Sequence, residues 1–208
     1  MVIPYGRQDI QESDINEVVS VLKSEFLTQG PKVPEFENKI SSLIGNLYSI
    51  ATNSATSALH IACLALELKA GDTLWTSPIT FVASANVALQ CGANVDFVDI
   101  KKDTFNMCPD ALAAKLEKAE YSGTLPKIVM PVALCGQSCE MEKIKLLAEK
   151  YGFKIIEDAS HAIGGRYRGA YIGNGNFADI SVFSFHPVKI VTTGEGGAIT
   201  TNDKDLDD

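Results

Sequence analysis

Apolar positions along this chain follow two alternating rhythms. Short apolar-rich runs, Thr73 to Thr76, Asn94 to Val98, Ile128 to Val132, Phe153 to Ile156 and Ile180 to Phe183, predict buried strands. Between them, apolar residues spaced three and four apart predict helices at Thr80 to Gln90, Pro109 to Lys118 and Met141 to Tyr151. Pro109 suits a first helical turn, where no backbone donor is needed. Upstream, Ile15, Val18, Val19 and Leu22 form one face of a helix that ends near Ser24, with Asp9 or Ser13 as its cap. Thr28-Gln29-Gly30-Pro31 breaks the chain, and a second helix follows from Pro34 to Ile44, stopped by Gly45. Its apolar stripe is Phe36, Ile40, Leu43 and Ile44. Leu47 to Ala51 predicts a strand, and Ala58 to Leu68 a helix stopped at Gly71.

This alternation predicts an α/β fold, a three-layer, mostly parallel sheet with helices on both faces and right-handed crossovers. After Asp158 the rhythm changes, and Ala162 to Ala170 reads as a hairpin or an irregular loop. Gly197 to Thr201 follows Ile180 to Phe183 too closely for a helical crossover, which predicts one antiparallel strand. Ligands of such sheets sit beyond the carboxyl ends of the strands, where Asn53, Phe81, Asp158 and Ser184 fall.

Composition narrows the possibilities. The 208 residues suffice for one large domain or two small ones, and the formal net charge of −8 argues against a nucleic-acid binder working by bulk electrostatics while leaving room for a local basic patch for a phosphate. The N-terminus has no signal-peptide core, and no run of eighteen apolar residues exists, so no membrane span is expected. Five cysteines without regular spacing disfavour a disulfide framework and fit a reducing cytoplasm. Cys135 and Cys139 lack partners for a zinc set, and the cysteines read as small buried hydrophobes.

The chemistry gathers near the strand ends. Asn53-Ser54-Ala55-Thr56-Ser57 joins a strand to a helix, which fits either a phosphate cradle or an ordinary capped helix start. Lys189 follows the strand that ends at Phe183, and Asp158 ends another. A lysine with a depressed pKa is an amine nucleophile, and an aspartate pairs with a protonated pyridine nitrogen, so together they suit pyridoxal phosphate. The bland alternatives are a solvent-facing lysine and a capping aspartate. Phe81 reads as a ring-stacking residue or as core; Ser184 as a phosphate donor or a local backbone partner. His161 suits a hydrogen bond to a cofactor, His186 a substrate contact or a structural role, and His60 a packed helix position. Ser184, His186 and Asp158 lack a nucleophile-elbow sequence, and no Gly-x-Gly-x-x-Gly follows a strand, so hydrolase and nicotinamide chemistry are poor readings.

Five ordered blocks carry a family likeness: Asn53 to Leu59, Pro78 to Asn86, Glu157 to Gly164, Phe183 to Lys189 and Gly194 to Gly197. They resemble the pyridoxal-phosphate-dependent nucleotide-sugar aminotransferases of the DegT/DnrJ/EryC1/StrS family, of fold type I. Pro4 to Gln8 and Leu27 to Pro31 are similar to that family's N-terminal segment. The likeness is strongest to members that aminate C4 of a UDP-linked 4-keto-6-deoxy-N-acetylhexosamine in pseudaminic acid synthesis, with glutamate as donor and 2-oxoglutarate as product. C3 or another nucleotide sugar within the family, or an inactive cofactor-binding fragment, stays open. The resemblance implies that Lys189 forms the Schiff base and Asp158 meets the pyridine nitrogen. It implies that Phe81 stacks on the ring and that Ala55, Thr56 and Ser184 hold the phosphate. His161 stands where many relatives have glutamine.

Family members are longer. The likeness therefore implies an N-terminal arm and helix over residues 1–34, part of a large cofactor domain over 35–208, and a small C-terminal domain that this chain lacks. It also implies a homodimer with the site at the interface. Without a closing helix after the acidic end, Asp203 to Asp208, an exposed apolar sheet face is expected.

Overall fold

A computed structural model describes Ile3 and residues 6–206. Pro4 and Tyr5 of the N-terminal block, and Asp207 and Asp208 of the acidic end, lie outside the described residues. In chain order the elements are α1 (Glu12–Leu22), α2 (Lys32–Ile44), β1 (Tyr48–Thr52), α3 (Ala55–Ala65), β2 (Thr73–Thr76) and α4 (Ala83–Gln90). There follow β3 (Asn94–Phe97), α5 (Pro109–Ser122), β4 (Ile128–Met130), α6 (Met141–Tyr151) and β5 (Lys154–Asp158). The hairpin β6 (Arg166–Tyr167) and β7 (Ala170–Tyr171) precedes β8 (Ile180–Ser184) and β9 (Gly197–Thr201).

Seven strands form one sheet in the order β1-β9-β8-β5-β4-β2-β3. Strands β8, β5, β4, β2 and β3 run parallel, while β9 is antiparallel to both β8 and β1. The expected α/β three-layer sheet with one antiparallel strand is therefore observed. Alternation along the strands divides the core. Leu74, Ile128, Met130, Ile156, Ile180 and Val182 pack with α3 and α4 on one face. Trp75, Val129 and Ile155 pack with α5 and α6 on the other. Ile40 and Ile44 of α2 extend that second layer over Phe183 and Ala198. The outer edge of β1 is tied to α2, where Ala51 N–H donates to Glu37 Oε1 at 2.8 Å.

Five expectations change. Helix α1 is entered at Gln11, whose N–H donates to Asp14 Oδ2 at 2.9 Å, rather than at Asp9 or Ser13. The α1 stripe buries none of its residues, and Ile15, Val18 and Leu22 are exposed. The expected exposed sheet face does not occur at β8 or β9, which are buried at every residue. Of the cysteines, Cys63 and Cys139 are buried, with burial pushing each thiol up to about 12, whereas Cys135 is exposed. Helix α3 begins at Ala55, three residues earlier than the apolar run, because Ser54 caps it and accepts from Ser57 N–H at 3.2 Å.

The period-two geometry sends the adjacent acids of β5 to opposite faces. Asp158 shares the α3/α4 face with Ile156, while Glu157 points the other way and accepts from Ser181 Oγ at 3.1 Å. Burial pushes the Glu157 carboxyl up to about 7, against hydrogen bonds from Ser181 and Gly173. A group whose native pKa is raised stabilises the fold below its unfolded pKa and loses that contribution as pH rises through the native value. Stability should therefore fall between about pH 4.5 and 7 by on the order of 3 kcal/mol from this group. Urea melts of Glu157→Gln should show a flatter pH dependence across that window; an unchanged slope would contradict this assignment.

Candidate active site

The carboxyl ends of β5 and β8 and the start of α3 surround a cavity of about 480 Å³. That volume suits a small molecule. Asp158, His161, Ser184 and Lys189 line it, together with Ala55, Thr56 and Phe81 from the other side. All seven residues singled out in the sequence thus share one cavity, and His186 lies at it too, half-exposed. Phe81 is 66% exposed, so it is not core. His60 lies outside the cavity, half-buried on α3.

The cavity has a polar floor and an anion-ready end. Asp158 is only 3% exposed, and its Oδ2 accepts from Ser84 Oγ at 2.7 Å while Oδ1 accepts from Ser160 N–H at 3.2 Å. At the α3 end, Ser57 N–H and Ala58 N–H are taken by Ser54. Ala55 and Thr56, by contrast, offer first-turn N–H groups of the kind that a helix leaves without internal acceptors. Gly197 makes this junction possible. A Cβ there would meet Ser54 C at 2.5 Å and Ala55 N at 2.6 Å, so β9 lies directly against the turn. Ser184 Oγ lines the same cavity and accepts from His186 N–H at 3.4 Å.

Burial lowers the pKa of Lys189, while the Asp158 charge pulls it upward. The net effect favours a neutral amine relative to an ordinary lysine. His161 is also lowered, first by burial and then by the Lys189 charge, with Asp158 opposing. His161 Nδ1 accepts from Cys135 N–H at 3.2 Å, which leaves Nε2–H as the donor of the neutral ring. Cys135 sits at φ 54°, a left-handed conformation uncommon for a non-glycine residue, in the tight turn Leu134–Gly136. Sequence reasoning missed both Ser84 and Cys135. Ser84 carried a signal, a polar residue on the α4 face otherwise formed by Ala83, Val87 and Ala88; Cys135 carried none, because its role depends on the turn.

The residues fit pyridoxal phosphate. A buried carboxylate suits its ring nitrogen, a burial-shifted amine suits its aldehyde, and a glycine-enabled helix start suits its phosphate. Among the described residues no cluster of three or more metal-ligating side chains occurs, and no helix is long and apolar enough to cross a membrane.

Comparison with known proteins gives a consistent picture. The family described as the DegT/DnrJ/EryC1/StrS aminotransferase family matches residues 8–208. A Campylobacter jejuni protein named UDP-4-amino-4,6-dideoxy-N-acetyl-beta-L-altrosamine transaminase is 46% identical over 205 residues, covering 99% of this chain and 53% of that protein. The Bacillus subtilis spore coat polysaccharide biosynthesis protein SpsC is 39% identical, covering 99% and 51%. Among solved structures, Helicobacter pylori PseC, an aminotransferase involved in the biosynthesis of pseudoaminic acid, superposes with a TM-score of 0.89 at 34% identity, covering 98% of this chain and 53% of its own. The pyridoxal phosphate form of a putative sugar aminotransferase, Spr1654 from Streptococcus pneumoniae, gives 0.88 at 33%, covering 98% and 54%. The chain spans about half the length of the curated relatives it matches.

The charge coupling can be tested without any ligand. In an NMR titration the His161 ring should titrate below ordinary histidine. Lys189→Met removes a lowering charge and should raise that pKa, whereas Asp158→Asn removes a raising charge and should lower it. Shifts of the opposite sign would contradict the arrangement.

Proposed function

The chain belongs to the DegT/DnrJ/EryC1/StrS aminotransferase family, and from that premise we propose that it carries the cofactor site of a pyridoxal-phosphate-dependent nucleotide-sugar aminotransferase. The observation that carries this reading is the convergence of Lys189 and buried Asp158 on one cavity, beside the N-terminus of α3. The amino group passes from glutamate to C4 of a UDP-linked 4-keto-6-deoxy-N-acetylhexosamine. The name of the Campylobacter jejuni relative supports the sugar class.

When bound, pyridoxal phosphate supplies an aldehyde that takes up an amine and a ring that stores the electron pair released at the neighbouring carbon. The chain's residues supply the rest. Asp158 presents a fixed anion that keeps the ring nitrogen protonated. Lys189 would hold the aldehyde through its Nζ, and the same amine, when free, would be the base that takes a proton from the amino acid carbon. Burial serves this task, because a proton carrier must spend time in its neutral form. Phe81 would cover a ring face, the Ala55 and Thr56 N–H groups with the Ser184 hydroxyl would hold the phosphate, and His161 Nε2–H would donate to the ring's oxygen substituent.

We further propose that residues 1–34 form an arm and helix attached to a cofactor domain over 35–208, and that the assembled protein is a cytoplasmic homodimer. The free cysteines support a reducing compartment. The uncovered stripe of α1, with Phe26 and Leu27 also exposed, supports a second copy as its cover.

The test is amino transfer. Incubation with pyridoxal phosphate, glutamate and the UDP-linked 4-keto sugar should yield 2-oxoglutarate and the 4-amino sugar, read by mass spectrometry. Lys189→Ala should lower the rate by about a thousandfold. Transfer that survives this substitution would overturn the proposal, and transfer only to a 3-keto sugar would move the reaction to C3.

A further inference from the structure

The hydroxyl of Ser84 is 0% exposed and has three oxygen neighbours: Asp158 Oδ2 at 2.7 Å, Thr80 Oγ1 at 2.8 Å and Phe81 O at 3.2 Å. A hydroxyl has one hydrogen to give. An ionised carboxylate can only accept, and the 2.7 Å contact has the length of a charge-assisted bond. The Ser84 hydrogen therefore belongs to Asp158, and Thr80 donates to Ser84 in turn. The result is a directed chain of donors, Thr80 to Ser84 to Asp158, that ends on a carboxylate 3% exposed. Donors in series polarise one another, so the half-buried Thr80 hydroxyl contributes to the anion it does not touch.

We propose that Ser84 is a positioning residue for the cofactor, fixing the orientation of the Asp158 carboxylate toward the ring nitrogen, with Thr80 as its outer support. This inference rests on the pyridoxal phosphate reading given above. The backbone strengthens it. Ser84 N–H donates to Phe81 O at 3.1 Å, so the turn that supports the ring-nitrogen partner also carries the exposed Phe81 side chain at the cavity. Two faces of cofactor recognition are thus set by residues 80 to 84. The carboxylate's other hydrogen bond is the Ser160 N–H on Oδ1, and the titratable groups coupled to it are Lys189, His161 and Glu157; Ser84 substitution leaves all of these in place.

The test crosses two variants with two ligands. Binding of pyridoxal phosphate, and of its analogue with carbon in place of the ring nitrogen, is titrated by absorbance on the wild-type chain, Ser84→Ala and Thr80→Val. Thermal melts establish that each chain is folded. Ser84→Ala should weaken pyridoxal phosphate binding about tenfold, because a hydrogen-bond donor that holds the buried carboxylate in place is lost. Thr80→Val, which keeps the side-chain shape, should weaken it about twofold to threefold. Neither variant should change binding of the carbon analogue, whose ring makes no demand on the charge of Asp158. Equal losses for both ligands would mean a merely structural role and overturn the proposal, as would unchanged binding of pyridoxal phosphate in both variants. If Ser84→Ala does not fold, the Thr80→Val pair decides the matter alone. Failure of the wild-type chain to bind pyridoxal phosphate would remove the functional reading itself and this inference with it.

Discussion

A carboxylate withdrawn from water loses hydration that only donors and opposite charge can replace. Asp158 is such a group, and the site is arranged around the means of keeping it there. Ser84 and Ser160 each occupy one of its oxygens, and Lys189 lies near enough for the Asp158 charge to oppose the burial that lowers the lysine pKa. These partners come from separate places in the chain: the first turn of α4, the residues after β5, and the segment after β8. The carboxylate is therefore a point where three parts of the fold must agree.

The sheet supplies that agreement. Alternation along β5 turns Asp158 toward α3 and α4 and Glu157 toward the loop that carries Gly173. The parallel pairing of β5 with β8 sets Asp158 opposite Val182 and brings the following lysine segment past the same sheet edge. The antiparallel return of β9 then presses Gly197 against the start of α3, closing the phosphate end. An amine, a carboxylate and a helix N-terminus thus meet at one cavity. The same three features are what an amine-transferring cofactor with a ring nitrogen, an aldehyde and a phosphate requires.

Much of this was legible in the sequence because hydrophobic rhythm reports sheet position directly. The strand ends at Asp158 and Ser184, the antiparallel strand at Gly197 to Thr201 and the Ser-rich turn before α3 were all read from pattern. Helix starts were less legible. At Ala55 and Ala83 the first turns are set by neighbouring backbone and caps, which apolar spacing does not register. Phe81 could be assigned to core or cavity only once its exposure was known. Ser84 was visible as a polar intruder on an apolar helix face, but its partner is 74 residues away. Cys135 was invisible, since a left-handed turn aims its N–H at His161 across 26 residues. Glu157 drew no reading of its own from the sequence, whereas strand geometry makes it a separate buried group.

The central claim is that this cavity binds pyridoxal phosphate through Lys189. Borohydride reduction of the 208-residue chain mixed with pyridoxal phosphate, followed by peptide mapping, tests it most directly. A pyridoxyl adduct confined to Lys189 is the expected result. A folded chain with no adduct, or with adducts spread over its surface lysines, would contradict it.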